Sequence, residues 1–247
     1  VNTGDGSTLW KYSFPSDLGD KFYEGGPGAT PSVKDGRVYL LSKWGDLFCF
    51  QATNGKILWK KQLRDEAEVR VPTWGFNGSP TLVGDTIFLN VGSAGMALRR
   101  SDGKILWKSD RGDPGYSTPL PVELDSGQGL LLSNGKAYLA VDRETGRKLW
   151  SHRWITRYGV NAADPIMKNS QVFISSGYNK GCALLETRGG KVETLWKNKN
   201  LRNQFSGSLL VGDFLYGIDG DSNEKASLRC LDWKTGAVKW DFDQCGF

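Results

Sequence analysis

Apolar residues in this chain fall in short runs, such as VYLL at 38–41 and TIFLN at 86–90, set off by glycine, proline, asparagine and aspartate. Elsewhere they alternate with other residues, so that in Ile57-Leu58-Trp59 the isoleucine and the tryptophan share one face of an extended strand. The spacings of three and four that a helical repeat needs to bury a stripe are missing from these segments. The pattern predicts many short strands joined by tight turns.

The strands recur at a fixed period. The hexapeptide GKILWK at 55–60 returns letter for letter at 103–108, and related endings reach Trp10, Trp59, Trp107, Trp150, Trp196 and Trp240, 43 to 49 residues apart. Five of the six carry a glycine four residues before the tryptophan (Gly6, Gly55, Gly103, Gly146, Gly236), while the Trp196 copy, TRGGKVETLW, is irregular. A turn former or a threonine stands just before several of these glycines, as a hairpin turn between two strands requires. Upstream of each later tryptophan lies a second strand-turn-strand landmark, for example ATPSVKDGRVYLL and GSPTLVGDTIFLN. Two such pairs give about four strands per repeat, the size of a propeller blade. The expected fold class is all-β: a single partial β-propeller domain of four-stranded blades, whole at 28–61, 77–109, 116–152, 161–198 and 206–242. Residues 1–14 are expected to supply the outer strand of a preceding blade and 243–247 the start of a further one, so that the arc reads as incomplete.

In the four well-formed copies the tryptophan closes an eleven-residue stretch that opens on a small residue: Cys49, Ala97, Ala140 and Cys230. With phrases such as PTWGFNGSP, GYSTPLP and RYGVNAADPI, the chain resembles, over nearly its whole length, the PQQ-like (quinoprotein-type) β-propeller repeat family. Within that family it is similar to the secreted BamB-like repeat proteins of Planctomycetes and Verrucomicrobia. The resemblance implies that Trp10, Trp59, Trp107, Trp150, Trp196 and Trp240 are structural and dock adjacent blades. It implies a periplasmic or secreted protein, a monomer at full length, whose loop face binds a protein or cell-envelope ligand without catalysis. A competing implication is a PQQ- and calcium-dependent dehydrogenase of alcohols or sugars.

Composition narrows the function classes. At 38% hydrophobic and 24% charged residues the chain buries a core and is not low-complexity. The net charge of +5 is spread among mixed signs, as in RDEAEVR, whereas a nucleic-acid binder gathers its basic residues in a patch. No run approaches the roughly 20 apolar residues of a membrane span. Cys49, Cys182, Cys230 and Cys245 form no CxxC pair, and Cys49 and Cys230 stand where other repeats place alanine, so small buried thiols are expected there. A single histidine, His152, expected on an outer solvated edge, supports neither a zinc cluster nor a serine-histidine-aspartate arrangement near the axis. No glycine run of the phosphate-cradling kind occurs.

The remaining candidates lie in the connections from one blade's outer strand to the next blade's inner strand: YEGGPGATP, PTWGFNGSP, DPGYSTP, TRYGVNAADP and RNQFSGS. Each contains a small residue (Ala29, Gly78, Ser117, Ala163, Gly207), as crowding near the axis demands. Around that column stand Glu24, Trp74, Asn77, Tyr116, Arg157, Tyr158, Asn161, Asp164, Arg202, Asn203 and Gln204, polar and aromatic groups suited to a ligand at a channel mouth. For the quinone alternative, Asn161 and Asp164 are the calcium candidates, Asp164 the catalytic candidate, Arg157 the cation and Trp74 the stacking floor.

Overall fold

The computed structural model describes residues 1–19, 25–220 and 226–243. Its strands form five sheets of four antiparallel strands each, and in every sheet the strands neighbour one another in chain order. The first sheet comprises β1 (Ser32–Lys34), β2 (Arg37–Leu41), β3 (Asp46–Gln51) and β4 (Ile57–Gln62), and is followed by the single-turn helix α1 (Leu63–Glu66). The second contains β5 (Thr81–Val83), β6 (Thr86–Leu89), β7 (Met96–Arg99) and β8 (Ile105–Lys108). In the third are β9 (Leu120–Leu124), β10 (Gly127–Asn134), β11 (Ala137–Asp142) and β12 (Lys148–Arg153). The fourth holds β13 (Ile166–Lys168), β14 (Gln171–Ser176), β15 (Gly181–Glu186) and β16 (Glu193–Asn198), and the fifth β17 (Leu209–Val211), β18 (Phe214–Asp219), β19 (Ser227–Asp232) and β20 (Val238–Phe242).

Middle strands are buried on both faces, as in Asp46–Gln51 and Gly181–Glu186, because each sheet is stacked between neighbours. The core is accordingly a series of apolar seams. Tyr39, Leu41 and Leu47 meet Ile87 and Leu89 between the first two sheets, and Phe88 meets Leu130 and Leu132 at the next. Leu131 and Ala140 meet Ile174 and Leu185 at the third seam, and Phe173 meets Leu215 and Leu231 at the fourth. First strands also touch first strands: the Thr81 hydroxyl donates to the Pro119 carbonyl at 2.6 Å, and the Ser32 hydroxyl to that of Pro80. The sheets therefore radiate from an axis with β1, β5, β9 and β13 innermost.

The recurring tryptophan joins the outer parts of the sheets. Across each outer hairpin Cys49 faces Trp59, Ala97 faces Trp107, Ala140 faces Trp150 and Cys230 faces Trp240, and a register shift follows the small residue every time. The indole N–H then crosses to the next sheet: Trp59 donates to the Arg100 carbonyl at 3.1 Å, Trp107 to Arg143 at 3.1 Å and Trp196 to Trp233 at 2.9 Å. The ring of each lies on the turn glycine of that sheet, Gly103, Gly146 and Gly236, whose φ of 70°, 72° and 68° is left-handed. Trp10 does the same on the first sheet, donating to the Ala52 carbonyl at 2.7 Å over Gly55, with Tyr12 and Phe14 against Phe48 and Phe50. Residues 1–14 form no strand, unlike the outer strand expected there; Trp10, Tyr12 and Phe14 lie against the first sheet without pairing to it. Residues 244–247 lie outside the described residues.

Trp150 is the exception. Its N–H is buried and has no acceptor, because the following sheet is the one with the irregular TRGGKVETLW turn. There Leu184 faces Trp196 across a longer hairpin that carries Gly189 and Gly190, both at positive φ. Cys49, Cys182 and Cys230 are buried free thiols, and Cys245 lies outside the described residues.

Urea unfolding checks this arrangement. Trp107→Phe, which keeps a ring and removes the N–H, is expected to cost about 1 kcal/mol, and Trp150→Phe less, since that N–H has no partner to lose. Gly146→Ala places a Cβ 2.5 Å from the Trp107 ring and is expected to cost about 2 to 3 kcal/mol. Gly212→Ala, also left-handed at φ 60° but in open space, is expected to cost about 1 kcal/mol. Equal losses for the two glycine variants would remove the ring contact as the cause.

Candidate functional site

The connections between sheets converge at one end of the innermost strands and enclose a cavity of about 570 Å³. Its walls are Gly26, Pro27 and Gly28 before the first sheet, Trp74 and Asn77 between the first and second, and Tyr116 between the second and third. Val160 and Ala162 follow the third sheet, Phe205 follows the fourth, and Tyr178 comes from the β14–β15 turn. All five connections thus contribute to one space. A second cavity of about 430 Å³ shares Tyr116 and runs past Arg70, Asp113, Asn134 and Lys136.

Packing explains how these side chains are held. Asn77 donates its amide to the Trp74 and Gly75 carbonyls at 3.1 and 3.3 Å, which fixes the loop carrying Trp74. Its oxygen lies where a Cβ on Gly28 would stand, so only glycine admits the first connection beside it. The Tyr116 backbone N–H donates to the Asn161 carbonyl at 2.9 Å. Burial pushes the Tyr116 phenol up to about 12, so it stays a neutral hydrogen-bonding group at ordinary pH. Tyr178 meets Tyr158 edge to face at 5.2 Å, and the Arg157 guanidinium lies 5.2 Å over the Tyr158 ring. The small-residue column packs as expected in Ala29, Ser117 and Ala163, all buried, while Gly207 sits in open space.

Of the residues singled out from sequence, Trp74, Asn77 and Tyr116 share the cavity. Asn161 and Asn203 do not reach it, which corrects their reading as ligand groups: both are buried, and their polar atoms are engaged inside the protein. Asn161 donates to the Asn134 and Trp154 carbonyls at 2.8 and 2.9 Å and accepts from the Ser176 hydroxyl at 2.9 Å. Asn203 donates to the Ile218 carbonyl at 3.1 Å and accepts from Ser208 at 2.9 Å. Arg202 is clamped on both oxygens of the buried Asp219 at 3.1 and 2.8 Å, and Arg229 reaches the same carboxylate at 2.7 Å. Gln204 lies against Gly177, with both amide atoms buried and unbonded. Glu24 lies outside the described residues. Tyr178 and Phe205, which do line the cavity, were missed by the loop reading; Phe205 stands in RNQFSGS, an aromatic in a polar connection.

Asp164 accepts the Thr118 backbone N–H at 2.7 Å, and crowding by protein atoms raises its carboxyl above the ordinary value even though part of the residue is exposed. Asn161 brings it no free oxygen for calcium, and no group of three or more histidine, cysteine, aspartate or glutamate residues is gathered among the described residues. No helix among them is long and apolar enough to cross a membrane.

Radiating four-stranded meanders, sewn together at the rim by indole N–H groups, define a β-propeller of the PQQ-repeat type. The chain belongs to the family described as outer membrane protein assembly factor BamB, whose model matches residues 1–242. It is 30% identical over 169 residues to the 1-butanol dehydrogenase (quinone) of Thauera butanivorans, covering 61% of this chain and 26% of that protein. Against the BamB of Shewanella oneidensis it is 23% identical over 257 residues, covering 94% of this chain and 60% of the other. The crystal structure of BamB from Moraxella catarrhalis superposes with a TM-score of 0.67 at 16% identity, over 98% of this chain and 66% of that one. The chain thus spans a quarter of the dehydrogenase and three fifths of the Shewanella protein.

Because the folded-state value of Asp164 is raised, the charged carboxylate opposes folding, and stability falls as pH climbs from the ordinary value near 3.8 through the folded value. Asp164→Asn keeps an oxygen for the Thr118 N–H and removes the charge. It is expected to be at least as stable as the wild type at pH 7, with the advantage fading below pH 3.8. Urea midpoints across that range check the sign; a variant less stable at pH 7 contradicts it.

Proposed function

We propose that the chain is a non-catalytic binding propeller of the cell envelope, periplasmic or secreted and monomeric at full length, which takes a protein segment or envelope ligand at its loop face. The observation that carries this reading is the wall of the central cavity. Trp74, Tyr116, Tyr178 and Phe205 supply four aromatic rings, Asn77 supplies one amide, and no charged side chain is among the lining residues that the structure describes. Aromatic walls with few polar groups suit burial of an apolar portion of a ligand, with the amide orienting it. Phe205 is 74% exposed, a large apolar side chain at a cavity rim that a bound partner would cover. None of the described lining residues carries or accepts a proton near neutrality, Tyr116 being pushed up to about 12, which supports binding over proton-transfer chemistry. Similarity to proteins described as outer membrane protein assembly factors supports a protein partner and an envelope address.

The dehydrogenase reading draws on the similarity to the 1-butanol dehydrogenase (quinone) and on Trp74 as a stacking surface. The residues here do not fit its calcium and quinone: Asn161 is closed off by its internal hydrogen bonds, Arg157 lies on Tyr158, and Asp164 holds the Thr118 backbone.

Trp74→Ala and Phe205→Ala are expected to weaken binding of aromatic-containing extended peptides about tenfold or more, with folding unchanged, as read by NMR titration of the labelled protein. In the same protein, PQQ with calcium is expected to leave the cofactor spectrum unperturbed. Stoichiometric PQQ binding, with alcohol-dependent dye reduction abolished by Asp164→Asn, would replace this reading with the dehydrogenase.

A further inference from the structure

Several surface cations are neutralised singly: Lys60 by Asp46, Lys61 by Glu66, Arg70 by Asp113, Arg100 by Asp35 and Lys168 by Asp213, all at 3.2 Å or less. One group of cations is instead packed together on a single aromatic ring. Where β12 ends beside the β14–β15 turn and β16, the fold gathers His152, Lys180 and Lys197 around the indole of Trp154, with the charge of Arg153 near enough to act on Lys180. The Lys180 ammonium stands 4.7 Å from the Trp154 ring centre and that of Lys197 5.3 Å, and the His152 ring is 6.1 Å away. Among the described residues, none of the four has a carboxylate or a side-chain hydrogen bond.

The groups are close enough to repel. Burial first, then Lys197 and Lys180, hold His152 below its ordinary value, and burial, Lys197 and Arg153 do the same to Lys180. Attraction to an indole face accounts for one ammonium over the ring. It does not account for a second on the same indole, nor for an imidazole and a guanidinium beside them. The floor is rigid: Trp154 is fully buried and its N–H donates to the Ser176 hydroxyl at 3.1 Å. An apolar, water-free floor strengthens the field of the cations above it.

We propose that this cluster is a binding site for a doubly charged oxyanion, a sulfate or phosphate group, seated between Lys180 and Lys197 and flanked by His152 and Arg153. Two compact ammoniums offer several rotatable donors to a tetrahedral anion, and its charge converts their mutual repulsion into attraction to a common centre. Lys180 follows the cavity residue Tyr178 by two positions in the same turn, so the site borders the loop face, but it stands whether or not the central cavity binds a partner.

His152 is the sole histidine, so its imidazole proton signals report on the site without assignment. Sulfate, which keeps its charge across the titration, is the probe, compared with chloride at matched ionic strength. The His152 pKa is expected to rise by about one unit in sulfate, since the anion favours the charged imidazole. Lys180→Gln with Lys197→Gln is expected to abolish the rise and weaken sulfate binding about tenfold or more, while Lys104→Gln, on another blade, leaves both intact. Inorganic phosphate and phosphatidic acid vesicles, whose phosphomonoester headgroup ionises twice, separate the sources. Vesicle association lost in the double variant assigns a lipid headgroup, and indifference to vesicles with the sulfate shift intact assigns a free anion. The proposal is overturned if sulfate moves His152 no more than chloride does, or if the double variant keeps the shift.

Discussion

The structure depends on an indole N–H that leaves its own sheet and ends on a carbonyl of the next. A propeller blade is a meander whose faces are both apolar, and four twisted strands alone do not remain folded in water. Trp59, Trp107 and Trp196 each tie such a meander to its neighbour twice, through the N–H and through the ring laid on a left-handed glycine. The small residue opposite each well-formed tryptophan belongs to the same device, because Cys49, Ala97, Ala140 and Cys230 leave room for the ring to turn outward. With the rim set in this way, the innermost strands approach one another and the connections are forced together over the axis.

That order of causes decides what the residue string reveals. The tryptophan, its glycine and the four-strand period are visible because each follows from a local steric demand repeated in every blade. Loop polarity is a weaker guide, since an amide facing a ligand and one stapling three backbone segments are spelled alike. Asn161 and Asn203 are of the second kind, and only the positions of Asn134, Trp154, Ser176 and Ile218 reveal it. A sharper signal was present: Gly28, Asn77, Tyr116 and Ala162, each directly before the buried small residue, all line the cavity. Tyr178 escaped that column because it belongs to a turn within a blade. The cationic cluster was hidden for a different reason, as positions 152, 153, 180 and 197 look scattered until β12 and β16 are laid side by side.

The loop face therefore combines surfaces of different chemistry on one rigid frame. At the axis the described wall residues are aromatic and uncharged, further out Arg70, Asp113 and Lys136 line a polar groove that shares Tyr116, and beyond Tyr178 the cations stand around Trp154. Blades that differ only in their connections can diversify such a face without disturbing the seams beneath it.

The silent N–H of Trp150 bears on how the third and fourth blades are joined. A stack of blades is nearly a one-dimensional chain in which each member is held by its neighbours. Between the third and fourth sheets the rim bond present at the other described junctions is missing. The junction is closed deeper in the fold instead, where the Tyr138 hydroxyl donates to the Ser175 carbonyl at 3.0 Å and the Trp154 indole to the Ser176 hydroxyl at 3.1 Å. The cations beside Trp154 flank this inner closure, so an anion held by Lys180 and Lys197 on one blade and by His152 and Arg153 on the other would act as a latch across a seam whose rim is unbonded.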